Sequence, residues 1–162
     1  MTALILTAAL VLSGADSLSA TRVAGLELKA PSSWKVSDAT DGKNWEAPLN
    51  EAQMELTVFP VNPKRPAHEC VDQLLEKLSE TMGKDGWEKL SVGGQPAVRK
   101  VTTDFVGPPD AGKTDANKVS TVMTVGCNGA TKWVLTMSSS STKAIRFGAL
   151  LKAVVSSIQY GK

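Results

Sequence analysis

The sequence predicts an α+β domain: an antiparallel β-sheet of about six strands flanked by two helices. Three observations carry that expectation. Short segments with period-two alternation fill the chain from Leu26 to Val61. Two stretches have helical spacing instead, one from Ala67 to Met82 and one from Ser141 to Ile158. Between them runs a meander of alternating segments with Gly-rich turns, with no β-α repeat of the kind that builds a parallel sheet.

Each element has its own justification. "LELKAP" (Leu26–Pro31) alternates apolar and polar residues, turns at Pro31-Ser32-Ser33 and resumes as "WKVSD". "KNWEAP" is a weaker second strand. "QMELTVFPV" (Gln53–Val61) is a strong one, with Met54, Leu56 and Val58 on one face. "NPKRP" then breaks the chain, and Pro66 suits the first position of a helix, where a missing N–H costs nothing. Along that helix Cys70, Val71, Leu74, Leu75, Leu78 and Met82 form an apolar stripe, and Gly83 supplies a stop.

"WEKLSV" reads as a short strand, "GGQP" as a turn and "AVRKVTTDFV" as a longer strand. "NKVSTVMTVGC" and "TKWVLTMSS" flank Asn128-Gly129, a hairpin signal. A two-residue loop there would mix apolar and polar faces. A three-residue loop, Asn128 to Ala130, pairs Val125 with Trp133, Met123 with Leu135 and Thr121 with Met137, and is the expected register. The last helix opens at Ser141 or Thr142 and carries Phe147, Leu151, Val154 and Ile158 along one stripe.

At 162 residues the chain suits one domain with a real core. Its formal net charge is +2 with 21% charged residues, so composition makes no demand for nucleic acid or anionic lipid. The first twenty residues differ from the rest. They hold an apolar run from Ala3 to Leu12, too short to span a bilayer but suited to the core of a secretory signal, followed by small residues at Ser13, Ala15, Ser17, Ser19 and Ala20. The expectation is a signal peptide at 1–20, cleaved between Ala15 and Ala20, and a single domain at 21–162. "LSGA" has the shape of a lipobox with Ala15 in place of the cysteine, so no lipid attaches there. The expected location is periplasmic or secreted, with no integral membrane segment after signal removal.

"GPPDAGKT" (Gly107–Thr114) matches the phosphate-loop pattern at every required position. That loop works only where a helix follows, because the unpaired N–H groups and positive dipole end of the helix bind the anion. Here "DANKVSTVMTV" follows, rich in Val and Thr with strand alternation, and Pro108 and Pro109 remove two donors from the loop. The expectation is a polar hairpin tip and no nucleotide.

Other chemistry is sparse. The chain has one histidine, so His and Cys offer no pair at metal-ligand spacing, and no metal or cofactor is expected. His68 and Cys70 lie two apart on a helix and point away from each other, which separates a thiol from its base. Cys70 lies on the apolar stripe, and Cys127 falls on the core face of its strand. In an exported protein, two inward-facing cysteines predict a Cys70–Cys127 disulfide. Four consecutive serines, Ser138 to Ser141, lack the G-x-S-x-G setting of a nucleophile and read as a strand-to-helix turn. Of the four tryptophans, Trp133 reads as core, and Trp34 follows a turn where it could close the end of the sheet. Trp45 and Trp87, flanked by Asn44, Glu46, Gly86 and Glu88, are the candidate binding residues.

"LKAPSSWKV" (Leu28–Val36), "GGQPAVRK" (Gly93–Lys100) and "WVLTMSSSSTKAIRFGALLKAVVSSI" (Trp133–Ile158) together resemble the PsbP-like family of small lumenal and periplasmic domains. The likeness lies in a Pro-x-x-Trp near the first strand, a Gly-x-Pro-Ala turn into a central strand, and a closing strand, serine turn and helix. It spans most of the chain beyond residue 20, in order. The resemblance implies an antiparallel sheet with flanking helices and brings no shared catalytic residues. The functional expectation is an exported non-catalytic domain that binds a protein or envelope component. The alternative is a small hydrolase or thiol-dependent enzyme whose site assembles only in three dimensions.

Overall fold

The computed structural model describes residues 16–108 and 110–161. The expected signal core, Ala3 to Leu12, and Pro109 of the loop lie outside the described residues. Ten strands and two α-helices follow in chain order. They are β1 (Leu18–Val23), β2 (Leu26–Pro31), β3 (Lys35–Ala39), β4 (Gly42–Glu46), β5 (Ala52–Pro60), α1 (Ala67–Met82), β6 (Trp87–Val92), β7 (Gln95–Phe105), β8 (Lys118–Cys127), β9 (Thr131–Ser140), α2 (Ala144–Ser156) and β10 (Gln159–Tyr160).

A seven-stranded antiparallel sheet runs in the order β3-β4-β5-β9-β8-β7-β6, and a three-stranded sheet runs β1-β2-β10. The α+β expectation holds, with more strands than composition and turns suggested. β10 is too short to leave a periodic signal. β1 leaves no separate strand signal because Leu18, Ser19 and Ala20 fall within the expected export signal. Those three residues pair with Pro31, Ala30 and Lys29 of β2. The hairpin turns at Ala24 and Gly25, both at positive φ (45° and 84°), as a tight two-residue turn requires. Asp16 is also engaged: one carboxylate oxygen accepts a hydrogen bond from Trp34 Nε1 at 3.4 Å and the other pairs with Arg146 at 3.4 Å. Asp16 and Leu18 to Ala20 thus contact the rest of the described domain.

The large sheet is covered on both faces. α1 packs on β7 and β8, closing a core of Cys70, Val71, Val98, Val125 and Cys127. α2 packs on the opposite face against β9 and β8, and also touches β2 of the small sheet. That side buries the larger core, including Leu26, Trp45, Met54, Leu56, Trp133, Leu135 and Phe147. Trp34 is buried there too, meeting Phe147 edge-to-face at 5.8 Å.

Helix α1 spans the expected residues and stops at Gly83, whose φ is 79°. Lys100 and Trp87 finish that helix end. The Lys100 ammonium donates to the carbonyls of Met82 and Gly83, Trp87 Nε1 donates to the Gly83 carbonyl at 3.1 Å, and the ammonium lies 5.5 Å from the Trp87 ring. A cation is stabilised at the carbonyl-rich, negative end of a helix. The start of the last helix differs from expectation. Strand β9 continues through Ser140, a single 3-10 turn takes up Ser141–Lys143, and α2 begins at Ala144 without a side-chain cap.

The β8–β9 register is one residue away from the expected one. Cys127 pairs with Lys132, Gly126 with Trp133, Val125 with Val134 and Thr124 with Leu135, leaving residues 128–131 outside the β8–β9 ladder. Asn128 holds it, its side chain accepting hydrogen bonds from the N–H groups of Ala130 (3.0 Å) and Thr131 (2.8 Å). The physical reason for the shift is the indole of Trp133, which needs a facing residue without a side chain. Because one residue of slip exchanges faces, Trp133 looks toward α2 while Val125 and Cys127 look toward α1. Cys127 nevertheless points into a core, since both faces carry one.

Candidate binding groove

Helix α2 leaves part of its sheet face open. The outer strands β6 and β7 and the adjoining part of β8 form the floor of a groove, and α2 forms its wall. The groove encloses about 650 Å³, within the range of small-molecule sites. On α2, residues 144, 145, 148, 151, 152, 155 and 156 face it, which is the three-to-four spacing of one helix side. Gly148 is the gap in that wall: a Cβ added there would meet nothing within 4 Å.

Strand register orders the floor in rows. Glu88, Arg99 and Thr124 lie in one row, and Val101 and Val122 lie in the next row along β7 and β8. Arg99 donates through Nε (3.2 Å) and a terminal nitrogen (2.5 Å) to one carboxylate oxygen of Glu88. Lys152 also lines the groove, whereas Lys89 of β6 pairs with Val98 and points to the α1 face. Lys152 has no carboxylate partner among the described residues. Thr124 is 1% exposed, and its hydroxyl is buried without any hydrogen-bond partner. At the mouth, Ile145 is 92% exposed and Val101 is 55% exposed.

The sequence-predicted site residues are elsewhere. Trp45 is 2% exposed and packs in the α2-side core, opposite Met54 of β5, so it offers no surface. Its polar neighbours Asn44 and Glu46 point to the other face of the strand, which is ordinary alternation. Trp87 lies on the α1 side, half-buried at the end of that helix. The two are thus on opposite faces and form no common site. What marks the groove in sequence is subtler: Gly148 in mid-helix on the groove-facing side of α2, and Thr124, a polar residue buried beside Val125.

The Cys70–Cys127 bond is present, with Cα atoms 6.1 Å apart, inside the reach of a disulfide. It ties α1 to β8 and takes both sulfurs out of thiolate chemistry. His68 is exposed beside it. The phosphate-loop match forms the β7–β8 connection. After Thr114 comes a short 3-10 turn, Asp115–Asn117, and then β8, so no helix end faces the loop. The loop is bound to itself: Asn117 accepts from the Thr114 N–H at 2.9 Å and donates to the Gly112 carbonyl at 2.6 Å. Lys113 lies over the Phe105 ring at 5.6 Å.

A second concavity of about 350 Å³ lies on the α1 side of β3, β4, β5 and β9. Lys35, Asn44, Glu46, Gln53, Glu55 and Ser138 line it, and helix α1 does not reach it. Its surface is polar, with Asn44 Oδ1 unpartnered.

No family model matches the sequence, and no curated protein matches it. The fold does match solved structures. The cyanobacterial PsbP (CyanoP) of Synechocystis sp. PCC 6803 superposes with a TM-score of 0.61 at 14% identity, covering 91% of this chain and 95% of its own. A mutant of the protein Mog1 superposes with a TM-score of 0.55 at 10% identity, covering 89% and 96%. The fold is PsbP/Mog1-like. A protein from Bacteroides thetaiotaomicron VPI-5482 superposes with a TM-score of 0.62 at 12% identity over 85% of this chain. This chain spans 46% of that longer protein. The PsbP-like resemblance carried by the Pro-x-x-Trp, Gly-x-Pro-Ala and serine-turn motifs is thereby a resemblance of fold.

Proposed function

We propose that this is an exported, non-catalytic domain that binds a protein or cell-envelope component in the groove beneath α2. Two features support export: the apolar segment at Ala3–Leu12 and the Cys70–Cys127 bond. The groove carries the binding reading. It leaves apolar Ile145 and Val101 in water and leaves Thr124 without a partner, which folding alone does not require. Its ionisable lining is one carboxylate held by Arg99 plus Lys152, a set that anchors a ligand rather than pairing an acid with a base.

Site-specific photo-crosslinking in cells tests this. A crosslinker at Ile145 should capture a component that one at Val36, exposed on edge strand β3, does not. Equal labelling at the two positions, or none at Ile145, rules the groove out.

A further inference from the structure

We propose that the groove's occupant is a fatty acid, its carboxylate held at the Arg99 row and its chain laid along β7 and β8 toward Ile145. This rests on the groove being the binding site and names what fills it.

The charge pattern selects the head group. Arg99 and Lys152 face one acid, Glu88, so the groove carries a surplus of positive charge. Glu88 occupies Nε and one terminal nitrogen of Arg99, and the remaining terminal nitrogen has no protein partner among the described residues. A guanidinium presents its donors in a plane that suits a carboxylate. Thr124 is directly opposite Arg99 in the β7–β8 register. A carboxylate at Arg99 gives that hydroxyl the acceptor the fold does not supply.

The apolar part selects the tail. Val101 is two residues beyond Arg99 on the same face of β7, about 7 Å further along, and Val122 pairs with it. Exposed Ile145 stands on the wall at the same end, and Gly148 leaves the passage clear. An acyl chain covers these side chains without needing a single hydrogen bond. A polypeptide would bring backbone N–H and C=O groups that this apolar stretch cannot partner.

Titration of the purified, delipidated protein with laurate tests the proposal, read by calorimetry and by the resonance of a ¹³C-labelled carboxyl group. Saturable one-to-one binding is expected. Gly148→Phe, which fills the passage, should weaken it by about tenfold or more, and Ile145→Glu, at an exposed position that folding does not use, should weaken it similarly. Lys152→Glu should weaken laurate while leaving dodecanol, of equal chain length, within about twofold. Thr124→Val should raise the Tm yet lower laurate affinity several-fold. Absence of saturable binding, or laurate affinity unchanged in Ile145→Glu, overturns the fatty acid. If the Ile145 crosslinker then still captures a protein, the groove stands and only its occupant is wrong. If it captures nothing, both readings fall together.

Discussion

The indole of Trp133 lies across Gly126, its partner on the neighbouring strand. A Cβ on Gly126 would come within 2.6 Å of Cε2 and 2.9 Å of Nε1 of that ring, closer than atoms can pack. The other end of the contact is polar: Trp133 Nε1 donates to the Tyr160 hydroxyl at 2.8 Å. One glycine, one indole and one phenol thus join β8, β9 and β10.

Gly126→Ala should destabilise the protein by about 1–3 kcal/mol, because overpacking forces the indole out of its place. Gly148→Ala is the contrasting substitution. It adds a methyl to open space in mid-helix and should stabilise by about 0.5–1 kcal/mol. Urea unfolding of the two variants decides. Equal midpoints would mean that the ring does not rest on Gly126.

Tyr160→Phe should cost about 1–3 kcal/mol at neutral pH, since it leaves the Trp133 N–H buried without an acceptor. It should also change the alkaline limb of the stability curve. Burial raises the Tyr160 phenol above its ordinary 10.0, partly opposed by the hydrogen bond from Trp133. The unfolded chain therefore loses this proton first. The contribution is complete below about pH 10 and is lost as pH rises through the folded value. Tyr160 is the chain's single tyrosine, so phenolate absorbance reports it without assignment. An ordinary titration in the native protein would contradict the burial.

Reducing the Cys70–Cys127 bond should lower stability by about 2–4 kcal/mol through the freedom regained by the unfolded loop. Cys70→Ala with Cys127→Ala should show the same loss and no further response to reductant. A reductant-sensitive Tm in that double variant would point to some other cause.

Export should leave Asp16 as the first residue. Cleavage after Ala15 puts small residues, Ser13 and Ala15, at the two positions a signal peptidase reads. It also preserves Asp16, which holds Trp34 and Arg146, and all of β1. Mass spectrometry of the native protein checks the start. A chain beginning at Thr21 should unfold at lower urea, having lost three β1–β2 pairs.

The elements that repeat a period over many residues were legible. Helix α1 from Ala67 to Met82 announced itself by its stripe, and β5 by Met54, Leu56 and Val58. The disulfide was legible for Cys70, which its helix stripe turns inward; Cys127 was placed by a hairpin register that the structure shifts, and it reaches a core because both faces of the sheet carry one. The β8–β9 register was not, because alternation cannot separate registers when both faces are apolar; the space above Gly126 decided it. Trp45 was misplaced for the opposite reason. Its neighbours' polarity describes the other side of the strand and says nothing about the face it occupies. The groove depends on how far α2 reaches across the sheet. No local pattern encodes that.

The small sheet has a consequence for order in time. Strand β2 pairs with β1 through Leu18–Val23 and with β10 through Gln159–Tyr160, so one strand holds both ends of the domain. A chain entering a compartment N-terminus first can form the β1–β2 hairpin at once. It cannot finish that sheet, or give Trp133 its phenol acceptor, until Tyr160 has arrived. Closure therefore waits until β10 has emerged, and a stalled chain short of Gln159 presents an open strand edge and an unsatisfied indole to whatever quality control surrounds it.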